Sequence, residues 1–306
     1  MSGFVRYVLV GLLAGSGATY LAPGSVVAAA PCTTRYQDET AAEEARRELV
    51  VELGELVAHR PGQIAVMVKD LITGATVGYR STRKDQITAS GSKVDILLTL
   101  LRQARAEHRE LTAAEQASAE DMIRHSDNRA ADDLYRRIGG AAGLESTYRQ
   151  LGFTDTAPGP SHFWGGTTTS PADRVRLLTA LVKGSPGLAL EDRAYALALM
   201  EQVEPAQKWG ISAGARPGDR VALKNGWTPR PFVHDTWAVT SYGRIFGPGR
   251  DFLISVQSDI QPSMESGVFT IEQISKLISN RLPALDPDRP CPPLLTLDRA
   301  ARLVRG

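Results

Sequence analysis

The stretch TASGSKVDILLTLL, residues 88–101, sets a small polar cluster against a run of aliphatic side chains. The spacing of its leucines and isoleucine predicts a helix over 90–103 whose body belongs in a core. Ser90, Ser92 and Lys93 are left at the mouth of that helix. A lysine is costly to bury, so this one is either solvated or required. Residues three apart share a helix face, so the Ser90 hydroxyl and the Lys93 amine can approach each other. Serine is a poor nucleophile until a neighbour takes its proton, and a partly desolvated lysine can do so. A helix start also points backbone N–H groups towards developing negative charge. The spacing alone is weak evidence, because Ser81 and Lys84 share it in a stretch that reads as a solvated turn.

Outward from this helix the pattern changes twice. Upstream, ETAAEEARRELVVELGELVAHRPG carries Leu49, Leu53, Leu56 and Val57 at helical spacing and stops at Arg60-Pro61-Gly62. QIAVMVKDLITGATVGYR then alternates Ile64, Val66 and Val68 before a Thr73-Gly74 turn, which reads as a hairpin. Downstream the chain is helix-rich: Thr112 and Glu115 form a capping-box pattern, two short helices end at glycines, and Ser170-Pro171 with Asp173 opens another. Strands return from about residue 219 in RVALKNGW, FVHDTWAVTSYG and DFLISVQSDI, followed by a helix bearing Ile271, Ile274, Ile278 and Leu282. The expected architecture is an α/β fold: an antiparallel sheet built from both ends of the chain, flanked by N- and C-terminal helices, with an inserted all-helical lobe. The α/β lobe would take residues 40–89 and 206–285, the helical lobe 90–205, and the cleft between them is a natural ligand site.

The totals fit an ordinary folded protein: 306 residues, 42% apolar, 23% charged and a formal charge of +1. Nothing in that balance suggests nucleic-acid or anionic-membrane partners. Residues 1–29 read as an export signal, with Arg6 as the positive n-region, VLVGLLAG as a short apolar core and VVAAAP as a small-residue cleavage site. Cleavage is expected after Ala29, and the apolar core is too short to span a bilayer stably. Pro31 before Cys32 argues against lipid attachment at that cysteine. Cys32 and Cys291 are the two cysteines of the chain, and in an exported protein they suggest a disulfide, with two free thiols as the alternative. Residues 286–306 read as a proline-rich tail. The five histidines, at 59, 108, 125, 162 and 234, lack ligand spacing, so neither a metal nor a cofactor is expected, and the chain is expected to be a monomer.

Two further motifs give the Ser90–Lys93 pair its context. Ser126-Asp127-Asn128 falls at a break between helices, and Lys224-Asn225-Gly226 lies in a strand with Lys224 on the opposite face from Val221 and Leu223. Only seven lysines occur in the chain, so two at such positions count for something. The ordered trio Ser-x-x-Lys, Ser-Asp-Asn and Lys-x-Gly resembles the penicillin-recognising serine enzymes, the class A β-lactamases and low-molecular-weight DD-peptidases, over about residues 40–285. By that resemblance Ser90 is the acylated nucleophile and Lys93 its proton acceptor, while Ser126 relays a proton to the leaving nitrogen. Asn128 holds a substrate amide, Asp127 braces the turn, and Lys224 supplies positive charge for Ser126 and a substrate carboxylate. The backbone N–H groups of Ser90 and Trp227 would hold the oxyanion, with Asn225, Gly226 and Trp227 lining the substrate. Without the resemblance, Asp127 and Asn128 read equally well as helix caps and Asn225-Gly226 as a turn.

The chain departs from that pattern in three places. Asn225 stands where Ser or Thr is usual, followed by the bulky Trp227. The stretch between the first two motifs is short, which predicts an open cleft. The loop GFTDTAPGPSHFWGGTTTSP contains no glutamate for hydrolysing an acyl-enzyme; Asp155 comes early in it, and His162 is a conceivable water activator. Acylation with slow deacylation is therefore expected, of β-lactams or of cell-wall peptides. A ligand-binding sensor that has lost turnover is the second reading. A Ser-His-Asp hydrolase ranks last, since no G-x-S-x-G elbow occurs.

Overall fold

The computed structural model describes residues 39–286. The expected signal, the Cys32–Cys291 pair and residues 287–306 of the expected tail lie outside them.

In chain order the elements are α1 (Glu39–Ala58), β1 (Gln63–Asp70), β2 (Thr76–Tyr79), β3 (Gln86–Ile87), α2 (Lys93–Ala106) and α3 (Ala113–Glu120). Then come α4 (Asn128–Arg137), α5 (Gly140–Leu151), β4 (Thr168–Thr169), α6 (Pro171–Lys183) and α7 (Leu190–Glu201). Last come β5 (Arg220–Arg230), β6 (Thr236–Gly247), β7 (Arg250–Gln261) and α8 (Met264–Arg281). The main sheet is antiparallel with strand order β2-β1-β7-β6-β5, and β3 pairs with β4 in a separate two-stranded ladder. N-terminal β1 lies beside C-terminal β7, so both ends of the chain build one sheet, as expected.

Alternation along the strands sends side chains to two cores. On one face Ile64, Val66, Val68, Leu223, Ile254 and Val256 meet Leu49 and Leu53 of α1 and Ile271, Ile274 and Ile278 of α8. On the other, Ala222, Tyr242 and Leu253 join a core that continues through α2 and α6 into the smaller helices. Each of these aliphatic side chains contributes about 1.5–3 kcal/mol by leaving water. The helical part of the chain is thus packed directly on the sheet.

Local sequence explains the ends of several elements. Asp70 holds the β1–β2 turn by accepting from Ile72 N–H and the Thr73 hydroxyl, with Gly74 in the left-handed region at φ 79°. Thr112 and Glu115 form the reciprocal capping box of α3. Ser170 caps α6 by accepting from Asp173 N–H, with Pro171 in the tolerated first turn. One buried ion pair ties α2 to α6: Arg174 donates to Asp95 at 2.5 Å, with both side chains at 0% exposure, and Tyr148 donates to the second Asp95 oxygen at 3.0 Å. This clamp fixes the root of the helix that carries the polar cluster.

Candidate active site

The turn before α2 is a short 3₁₀ segment, Ala89–Ser92, and not the first α-turn the leucine spacing suggests. It is held on all sides. Thr88 donates through both its N–H and its hydroxyl to Thr167 O, at 2.8 and 3.1 Å. Ser92 donates to Ala89 O and Trp164 O, and the buried Tyr242 hydroxyl donates to Gly91 O at 2.7 Å. Ala89, just before Ser90, has φ 46°, a strained value for a residue with a side chain. Such bracing presents Ser90, half-buried, to a cleft of about 280 Å³ lined by Ala89, Ser90, Asn128, Asp132, Trp164 and Trp227, among others.

Ser126 also has left-handed backbone, at φ 57°, where a π-helical turn, Asp121–His125, gives way to α4. Its hydroxyl oxygen lies 3.0 Å from Lys93 Nζ and 3.1 Å from Lys224 Nζ. Asp127 caps α4 by accepting from Ala130 N–H at 2.7 Å, the helix-cap arrangement. Asn128 accepts from Lys93 at 2.9 Å through its side-chain oxygen and lines the cleft.

Lys93 departs from expectation in one respect. Its amine donates to Ser126 O, Ser126 Oγ and Asn128 Oδ1, and Ser90 is not among these acceptors. Three acceptors match the three N–H bonds of an ammonium group, whereas a base needs a lone pair. Burial lowers Lys93 from its ordinary 10.5 to about 8, with the charges of Asp127 and Asp132 opposing that shift. Lys224, fully buried, is pushed well below its usual value by desolvation and then by the charge of Lys93. The pocket therefore resists holding two ammonium ions at once.

The third motif separates into distinct jobs. Lys224 reaches Ser126 from β5, on the face opposite Leu223, as the alternation requires. Asn225 does not meet the cleft. It is 1% exposed and its amide donates to Gln207 O and Trp209 O, at 2.7 and 3.2 Å. The expected substrate contact is thus replaced by a brace on the 207–209 segment, whose Trp209 packs edge-on against Trp227 at 5.7 Å. Gly226 is required by space: a Cβ there would lie 2.1 Å from Thr88 O, 2.7 Å from Gly91 N and 3.0 Å from Ser90 N. Only glycine lets edge strand β5 lie this close to the Ser90 turn, and that approach carries Trp227 to the cleft wall.

Sequence reasoning missed Trp164 and Asp132. The Trp164 indole N–H donates to Asp132 Oδ1 at 2.7 Å, and its ring lies 4.9 Å from Lys93 Nζ, a cation–π contact. Asp132 follows Asn128 by one helical turn, so the Ser-Asp-Asn motif itself could have pointed to it. Of the acids and bases considered in the 152–170 loop, His162 is exposed at the cleft rim, while Asp155 accepts from Ser170 at 2.9 Å at the base of α6. Among the described residues no cluster of His, Cys, Asp and Glu is arranged to hold a metal ion.

Comparisons with known proteins agree with this fold. A sequence profile of the β-lactamase enzyme family matches residues 116–282. "Putative lipoprotein LppW" of Mycobacterium tuberculosis (strain ATCC 25618 / H37Rv) is 32% identical over 207 residues, 65% of this chain and 64% of that protein's own length. The same protein name in Mycobacterium bovis gives the same figures. Among solved structures, PBP-A superposes with a TM-score of 0.66 at 21% identity, covering 77% of this chain and 96% of that one. A class A β-lactamase from Mycobacterium abscessus gives 0.65 at 22% identity, covering 76% and 99%. At these identities the structural matches speak for the fold.

Proposed function

The chain belongs to the β-lactamase enzyme family, and from that premise we propose that it is an exported serine hydrolase that forms an acyl-enzyme at Ser90 with β-lactams or related amides and esters. The observation that carries this reading is the placement of the Ser126 hydroxyl between Lys93 Nζ and Lys224 Nζ, with Lys93 also bonded to Asn128, which lines the cleft that Ser90 enters. Export rests on the N-terminal signal pattern and on the lipoprotein name of the relative. Among the described residues no helix is long and apolar enough to cross a membrane.

In this mechanism neutral Lys93 accepts the Ser90 hydroxyl proton as Ser90 Oγ attacks the carbonyl carbon. With Lys93 at about 8, roughly a tenth of the molecules carry it neutral at pH 7. Backbone N–H groups of Ser90 and Trp227 hold the oxyanion. When the C–N bond breaks, Ser126 gives its proton to the leaving nitrogen and recovers one from Lys93. An arriving substrate carboxylate supplies Lys224 with the counter-charge its burial denies it, so binding favours its protonated form. Asn128, whose oxygen is engaged by Lys93, offers its amide N–H groups to a substrate carbonyl.

Intact-mass measurement after exposure to a panel of penicillins tests the reading. A mass increase equal to the penicillin, or turnover of it, is expected. No adduct, no turnover and no reaction with any serine-directed acylating probe would refute it. The full engagement of Lys93 by Ser126 and Asn128 favours one second reading, a sensor that binds such ligands without reacting. That reading requires Ser90→Ala to leave ligand affinity unchanged in a wild type with no detectable reaction.

A further inference from the structure

An ester at Ser90 is hydrolysed only if a water beside it loses a proton, and the 152–170 loop brings no carboxylate to the cleft. The opposite wall does. Asp132 is the one carboxylate among the residues that line the space around Ser90. It projects from α4 one turn beyond Asn128, which sits against Lys93. Its orientation is set by a buried partner: Trp164, 9% exposed, donates its indole N–H to Oδ1 at 2.7 Å. That bond uses one oxygen and leaves Oδ2 for the solvent in the cleft. Asp127 is occupied as a helix cap and Asp155 lies with Ser170, so neither competes.

We propose that Asp132 is the general base of deacylation, held by Trp164 so that its free oxygen meets the water that attacks the Ser90 ester. This rests on the acyl-enzyme reading given above. The water oxygen bonds to the acyl carbon while one of its protons passes to Asp132. The carbon–Oγ bond then breaks, and the proton held by Asp132 passes to Ser90 Oγ by way of the neutral Lys93 amine, which restores the Ser90 hydroxyl, the neutral amine and the Asp132 carboxylate. The acid product ionises by giving its own proton to solvent, so the enzyme returns to its starting protonation state. The loop that lacks a glutamate therefore contributes by orienting a carboxylate on the neighbouring helix.

The test follows the benzylpenicillin adduct by mass spectrometry in the wild type, Asp132→Asn, Asp132→Ala and His162→Gln. Asp132 is exposed on a helix, where alanine is well tolerated, so folding is not at stake. Both Asp132 variants are expected to acylate within a few-fold of wild type and to lose the adduct about 10²–10⁴ times more slowly. Hydroxylamine needs little help from a base and is expected to clear the variant adducts about as fast as the wild-type one. Adduct lifetimes unchanged by both Asp132 variants would overturn the proposal, as would slow decay that hydroxylamine does not restore. Loss of decay confined to His162→Gln would assign the base there instead. A wild-type adduct that never decays would overturn this proposal and leave acylation standing, whereas absence of any adduct would overturn both.

Discussion

Replacing Lys93 by Met separates what that residue does for chemistry from what it does to stability. In the folded chain Lys93 is lowered from 10.5 to about 8, chiefly by burial. Between those two values the unfolded chain binds more protons than the folded one, so stability rises with pH across the window. Integrating the linkage relation with these values gives a penalty of about 3 kcal/mol at pH 7 that shrinks to about 1.5 kcal/mol at pH 9.5. The wild type is thus expected to gain about 2 kcal/mol on this account over that range, and Lys93→Met to lack the gain. Lys224 adds in the same direction, because losing the Lys93 charge relieves part of its own depression. Denaturant unfolding of both proteins at the two pH values reads the difference directly. Acylation by benzylpenicillin should meanwhile fall by about 10²–10⁴ in the variant. Parallel stability curves for the two proteins would refute the claim that the fold holds a destabilised amine at position 93.

Three further outcomes follow from the same geometry. The wild-type acylation rate should climb about tenfold per pH unit below pH 8 and level off above it, because in the proposed mechanism the neutral amine is the base; stopped-flow measurement between pH 5.5 and 9.5 checks this, and a flat profile would contradict it. Gly226→Ala places a methyl 2.1 Å from Thr88 O, so β5 must move off the Ser90 turn. A misplacement of that order should cut acylation by about 10²-fold, readable as adduct formed against time. Asp95→Ala strands the Arg174 charge in the core and should destabilise the fold by roughly 3–5 kcal/mol, measured by denaturant unfolding.

Much of the fold is written in short-range signals. The Thr112–Glu115 box, the Ser170 cap with Pro171 and the alternation of β1 and β7 each arise within a few residues, and each is visible without knowing what packs against it. The three motifs were legible for a different reason: their order resembles a known family, which implies one shared site, and the side chains of Lys93, Ser126 and Lys224 do meet. What could not be read depends on contacts between distant segments. Nothing near residue 164 says that its indole will reach across to Asp132, 32 positions earlier. Nothing near residue 225 says that its amide will turn to the carbonyls of 207 and 209. The left-handed backbone at Ala89 and Ser126 is equally silent, because neither residue is glycine and only surrounding hydrogen bonds hold such angles. The partners of Lys93 depend on distant segments in the same way: the break at residues 126–128 delivers three acceptors to the amine.

Peptide mapping of the benzylpenicillin-treated protein examines the acyl-enzyme most directly. The account predicts that the added mass rides on the fragment containing Ser90 and vanishes in Ser90→Ala. Label found on another residue, or surviving the substitution of Ser90, would contradict it.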